Sequence, residues 1–150
     1  MSIDLQSLAP SKPALWVGRI LAALSVLFLL FDAGAKIAQV DEVMKVCAEM
    51  GIPARIVPGL GITLLVSTII FVIPATAPLG AILITGYLGG AVWTHVQRGD
   101  PIFPIVFPVI FGAMVWGSLY FRDPRVRQLL PFRRPALAPR AVEEPAQAVA

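Results

Sequence analysis

The residues able to do chemistry in this 150-residue chain are few, and most fall in two short stretches. The first holds Asp32 and Lys36, spaced by one helical turn, and the second holds His95, Arg98 and Asp100. An Asp–Lys pair at i,i+4 can neutralise itself near a membrane surface, or it can bind a ligand or move a proton, and both readings stand. His95 is the sole histidine. Its imidazole suits proton acceptance or a hydrogen bond to a quinone carbonyl, and equally a satisfied position at a helix end. Arg98 reads as an interfacial anchor or as a fourth member of a ligand or proton site with Asp32, Lys36 and His95. Asp100, followed by Pro101, reads as a helix cap: the carboxylate accepts from the first-turn N–H groups, and proline occupies the first helical position. Glu49 is a further candidate for the same cluster.

Other chemistries lack the residues they need. Cys47 is the single cysteine, which excludes an intrachain disulfide, a CxxC pair and a multi-cysteine zinc site. It reads as a small hydrophobe, because no histidine follows nearby to activate the thiol. No ligand set has the types and spacing a metal needs, and there is no Ser-His-Asp order, Gly-rich phosphate loop or nucleotide fingerprint. No residue is therefore assigned a catalytic or metal-binding role.

The elements that position these groups read as membrane helices. The chain is 57% hydrophobic and only 14% charged, with a mean hydropathy of +0.81. That is too apolar for an ordinary soluble domain of this size. The pattern predicts an all-α, polytopic membrane four-helix bundle, with a short interfacial amphipathic helix between the first and second spans. The spans lie at about 14–37, 55–73, 78–97 and 101–121, within a membrane domain of residues 14–130. A competing reading of residues 12–35 is a signal peptide, with Ala33-Gly34-Ala35 as its cleavage site. The helical pattern running through Asp32 and Lys36 to Ile37 favours a span.

Small residues supply the expected packing. Gly86, Gly89 and Gly90 make the third span the hub of the bundle, approachable by neighbouring backbones from more than one side. Gly59, Thr63 and Ser67 form a stripe on the second span, and Ala113 and Gly117 offer a contact on the fourth. Pro74 to Pro78 forms a tight turn that makes spans two and three a hairpin. Between spans one and two lies VDEVMKVCAEM, residues 40–50, which sets Val40, Val43, Met44 and Cys47 on one helical face and its charges on the other. Residues 1–13 read as a polar leader and residues 131–150 as a disordered, basic, proline-rich tail.

Charge gives the orientation. With both termini on one side, that side carries eight Lys and Arg residues against four on the other. The positive-inside rule then places both ends in the cytoplasm of a cell whose inner membrane the chain crosses. Half of the basic residues follow position 121, so the net charge of +3 reflects a lipid-facing tail and gives no reason to expect nucleic acid. Spans one and three both run outward, so Asp32, Lys36, His95 and Arg98 gather at one extracytoplasmic mouth.

The segments LLFDAGAKIAQV, MGIP, PLGAILITGYLGGAVWTHVQRGDP and SLYFRDPR together resemble the DoxX-like family of small bacterial membrane proteins, over about residues 14–130. The resemblance implies a four-helix membrane bundle, related in name to a small membrane subunit of a thiosulfate:quinone oxidoreductase, with Lys36 and His95 as the motif residues. It implies a non-catalytic accessory or ligand-binding subunit, with quinone as the candidate cofactor and a membrane or soluble redox protein as the candidate partner beside the bilayer itself. A small-solute transporter and a purely structural subunit, including a homo-oligomer held by the glycine faces, are the other readings.

Overall fold

The computed structural model describes residues 11–129. Residues 1–10 of the predicted leader and the whole predicted tail, 131–150, lie outside the described residues, and Lys12 and Pro13 of the leader already belong to the first helix. Four long helices dominate: α1 (Lys12–Ile37), α3 (Val57–Val72), α4 (Ala77–Arg98) and α5 (Ile102–Arg122). Two short ones accompany them, α2 (Asp41–Glu49) and α6 (Pro124–Leu129), and a single 3-10 turn, Ala54–Ile56, leads into α3. There is no strand among the described residues.

Local chemistry sets most of the boundaries. Proline lies in the first turn of α1, α3 and α4, where its missing N–H costs no intrahelical bond. Beyond α1 the chain turns at Gln39, whose φ of 53° is left-handed, and α4 is capped by Gly99, whose φ of 69° glycine adopts without strain. At that second end the Gly99 and Asp100 amides donate to the carbonyls of Val96 and His95. The turn joining α3 to α4 is held by the Thr76 hydroxyl, which donates to the Ile70 carbonyl at 2.8 Å. Asp123 caps α6 by accepting the Arg125 amide at 2.8 Å.

Asp100 does not cap α5 as the Asp-Pro sequence predicts. Pro101 is the residue preceding the helix, no side chain caps it, and the first helical residue is Ile102. The Asp100 carboxylate faces back to α4 and is held there by His95 and Arg98. Ion-pairing to groups already fixed on a completed helix outcompetes bonding to the next helix's amides.

The long helices form a ring in which α1 lies against α3 and α5, and α4 against the same two. No helix is a hub, which corrects the expectation for the third span. Leu29, Leu64, Phe71, Ile84 and Val115 fill the centre and are almost wholly buried. The buried hydroxyls of Ser25, Ser67, Thr68 and Ser118 each donate to a carbonyl three or four residues back, so none is left bare in the core. The outer surface is inverted relative to a soluble protein: Leu27, Phe31, Ile69 and Ile82 are half or more exposed. All four long helical segments are long and apolar enough to cross a bilayer, with mean hydropathies of 2.2, 2.0, 1.3 and 2.0 in chain order. The chain is a four-span membrane protein whose outer face meets lipid.

The glycines that bring backbones together are not the predicted ones. A methyl group added at Gly80 would lie 2.3 Å from the Phe71 amide nitrogen, and one at Gly61 would lie 2.8 Å from the Ala33 carbonyl. At Gly18 it would lie 2.7 Å from Cγ of Arg122. At Gly59, Gly86, Gly89 and Gly90 it would meet nothing within 4 Å, so these four mediate no close helix contact within the chain. Thr63 is exposed, and its hydroxyl returns to the Gly59 carbonyl of its own helix. Gly117 is in ordinary contact with Leu21 of α1, at 3.6 Å.

Candidate functional site

The α1–α3 contact that fixes Lys36 begins with a missing side chain. Gly61 presses against α1 closely enough that any Cβ there would come within 2.9 Å of the Lys36 Cβ. Lys36 is thus aimed from a rigid seam, and its ammonium group is bonded to Asp32 on the preceding turn of the same helix. Their side chains are 14% and 27% exposed, which places the pair at the edge of the interior and short of its depth. Aspartate N-terminal to lysine at i,i+4 is the better orientation of such a pair.

Across from the pair, His95 is fixed by its own helix end. Its Nδ1 lies 2.7 Å from Oδ2 of Asp100, whose Oδ1 lies 3.4 Å from Nε of Arg98. A carboxylate only accepts, so in the neutral ring Nδ1 carries the hydrogen and Nε2 is the acceptor. The left-handed Gly99 turns the chain so that Asp100 can reach back five residues.

Asp32, Lys36 and His95 line one cavity of about 680 Å³, between the four long helices and under α2. That volume is in the range that accepts a small organic ligand. The walls are largely apolar: Phe28, Leu60, Leu88 and Phe107 from the four helices, with Val43 and Met50 from the covering segment. Phe28, Phe107 and Phe111 form an aromatic cluster at the α1–α5 seam, with ring centroids 4.1 to 5.4 Å apart. Pro108 adds its ring to the α5 wall. Having no N–H, it cannot bond the Pro104 carbonyl as an interior helical residue would.

The room itself comes from α4. Gly86, Gly90, Ala91 and Thr94 line the cavity at i,i+4 and neighbouring positions, where larger side chains would fill it. The four-residue spacing read as a surface for helix contact is, at Gly86 and Gly90, a surface for open volume. Both need small residues, and sequence spacing does not distinguish them.

Of the four candidate site residues, the structure brings Asp32, Lys36 and His95 together. Arg98 does not line the cavity, and it acts on His95 only through the shared Asp100. Glu49 is exposed and outside it, whereas Glu42 of the same helix lines it. Tyr87 and Glu42 are lining residues that sequence reasoning did not single out. Tyr87 sits inside the Gly86–Gly90 motif, and its neighbours drew the attention.

Cys47 also faces the cavity and is buried. Burial pushes its thiol above the usual cysteine range, with Lys36 pulling the other way and Asp32 reinforcing the rise. It is therefore a neutral, weakly nucleophilic wall residue at physiological pH. Among the described residues no group of His, Cys, Asp and Glu could hold a metal ion.

A sequence model of the DoxX-like family matches residues 20–118, which takes in α2, α3 and α4 and most of α1 and α5. The chain belongs to the DoxX-like family. The matched stretch includes Asp32, Lys36 and His95, so every charged wall of the cavity lies within the family region of this DoxX-like protein. The chain matches no curated protein and no solved structure.

Proposed function

We propose that this DoxX-like protein is a ligand-binding membrane subunit, lying in an inner membrane with both termini cytoplasmic, that holds a quinone or quinol ring in the cavity. The observation that carries this reading is the single apolar cavity wall with a hydrogen-bonding group at each side, Lys36 on α1 and His95 on α4. Lys36 keeps N–H donors beyond the one given to Asp32, which suits a carbonyl oxygen. With Nδ1–H turned to Asp100, the neutral tautomer of His95 presents Nε2 as an acceptor, which suits a ring hydroxyl. A head that presents both, as a quinol or semi-reduced pair does, matches the two sides, and Phe28 and Phe107 suit its flat face.

Charge supports an uncharged head. Asp32 and Lys36 neutralise one another, Arg98 offsets Asp100 behind His95, and Glu42 remains. A small anion would meet a net negative wall. A transport path is disfavoured by the opposite half of the bundle, where Leu29, Leu64, Phe71, Ile84 and Val115 close the centre and every buried hydroxyl bonds to its own helix. With no self-sufficient reactive constellation, the subunit is assigned to a redox partner protein that does the electron transfer.

Mass spectrometry of the gently purified protein, first native and then after organic extraction, tests the proposal. The expected result is one quinone or quinol per chain. His95→Ala and Lys36→Ala should each lower retention by about five- to tenfold, the loss of one hydrogen bond to a charged or polarised group, with the helical content of the empty protein unchanged. Retention undiminished by both substitutions would remove the site proposal. A stoichiometric polypeptide with no small molecule would replace it with a purely structural role.

A further inference from the structure

The end of the bundle away from the cavity carries a second set of charges, and these form no ion pair among the described residues. Lys12 and Arg19 of α1, Arg122 of α5, and Arg125 and Arg127 of α6 gather there. The acid on α6's flank, Asp123, spends an oxygen on the Arg125 amide.

Arg122 is unlike an ordinary surface arginine. It lies across Gly18 of α1, and any Cβ at that position would come within 2.7 Å of the Arg122 Cγ. Its Nε donates to the Ser118 carbonyl at 3.1 Å, and its guanidinium lies over the Phe71 ring of α3, 5.7 Å from the centroid. Three helices thus fix the plane of the group at their junction. Besides Nε, only Nη2 has an acceptor among the described residues, Ser118 Oγ at 3.5 Å, so most of the five N–H donors face no described protein acceptor.

Arg19 follows Gly18 directly, on the helix that Arg122 touches, and is exposed with its guanidinium 5.8 Å from the Trp16 ring centroid. An exposed Trp beside an Arg, near the end of a membrane helix, marks the headgroup level. Arg127 is anchored in the same manner as Arg122, with Nε donating to the Tyr120 carbonyl and the guanidinium over the Tyr120 ring.

We propose that the junction of α1, α3 and α5 binds the phosphate of an anionic phospholipid, held by Arg122 and Arg19, with the acyl chains along the exposed apolar face of α1. Arg122 supplies a fixed planar fork that suits two phosphate oxygens, and Arg19 supplies an exposed second charge. The bilayer is the source of phosphate at this depth, and the chain-length apolar surface formed by Ile20, Leu24 and Leu27 is exposed next to it.

The test is native mass spectrometry of the full chain released from nanodiscs made of equal parts phosphatidylglycerol and phosphatidylcholine. Wild-type protein should retain one phosphatidylglycerol in preference to phosphatidylcholine. Arg19→Gln, at an exposed position that leaves the fold alone, should lower that preference at least about fivefold, and Arg122→Gln should lower it further. Arg122→Lys, which keeps charge but not the fork, should recover only part of it. Arg125→Gln should leave it unchanged. Equal retention of both lipids by wild type, or an equal loss in Arg125→Gln and Arg19→Gln, would overturn the proposal, because net basic charge alone would then account for the binding.

Discussion

The two halves of α4 are built from the same kinds of residue and do opposite things. From Ala77 to Leu88 the helix packs tightly, and Ala77, Gly80, Ala81, Ile84 and Leu88 are all buried. From Gly89 to Arg98 none is. Gly80 permits the α3 backbone to approach, whereas Gly90 in the second half, and Gly86 on the cavity side of the first, face space. Glycine in a membrane helix thus has two uses, contact and vacancy, and what decides between them is whether the neighbouring helix stays close or leans away.

Substitutions can sharpen this comparison. The largest effect is expected at Gly80. A methyl there would lie 2.3 and 2.4 Å from backbone atoms of Phe71, which cannot rotate out of the way as a side-chain tip can. Gly80→Ala should cost about 3 kcal/mol or more, read as a lowered melting temperature or easier unfolding in detergent. An unchanged melting temperature would erase the distinction between the two halves. Gly86→Leu should do the reverse, shifting stability by less than about 1 kcal/mol because nothing lies within 4 Å, while filling the cavity and abolishing ligand retention. A melting temperature lowered as far as at Gly80 would mean that Gly86 also mediates contact, between chains. The smallest effect is at Cys47. Its raised pKa means less thiolate at pH 8 than in a free cysteine, so alkylation should be slower than for a small thiol and should accelerate as the pH climbs past the ordinary cysteine range. A rate equal to that of a free thiol would show that the covering helix α2 leaves the cavity open.

Much of this architecture was legible because lipid imposes it. Length, hydropathy and the proline and glycine punctuation located four spans, and the charge distribution gathered Asp32, Lys36 and His95 at one end, where the structure joins them around a cavity. Partner choice was harder to read. Asp100 had two plausible partners, the amides of α5 and the groups on α4, and only the left-handed turn at Gly99 makes the second reachable. Gly18, Gly61 and Gly80 escaped notice because a contact glycine is defined by the helix opposite, which local spacing does not contain. Tyr87 and Glu42 escaped for the related reason that a lining residue is defined by emptiness.

The turn at residues 73–76 carries a consequence for the order in which the chain assembles. Its closure, with the Thr76 hydroxyl on the Ile70 carbonyl, brings α3 and α4 together across a few residues, whereas α1 and α5 meet only across the whole of residues 38–101. On loop-closure entropy alone the longer connection costs roughly 2.5 kcal/mol more. The α3–α4 hairpin is thus the natural first product of folding, already zipped at Gly80 and Phe71. The aromatic wall of Phe28 and Phe107 comes last, so the cavity is completed only once the final span has been made.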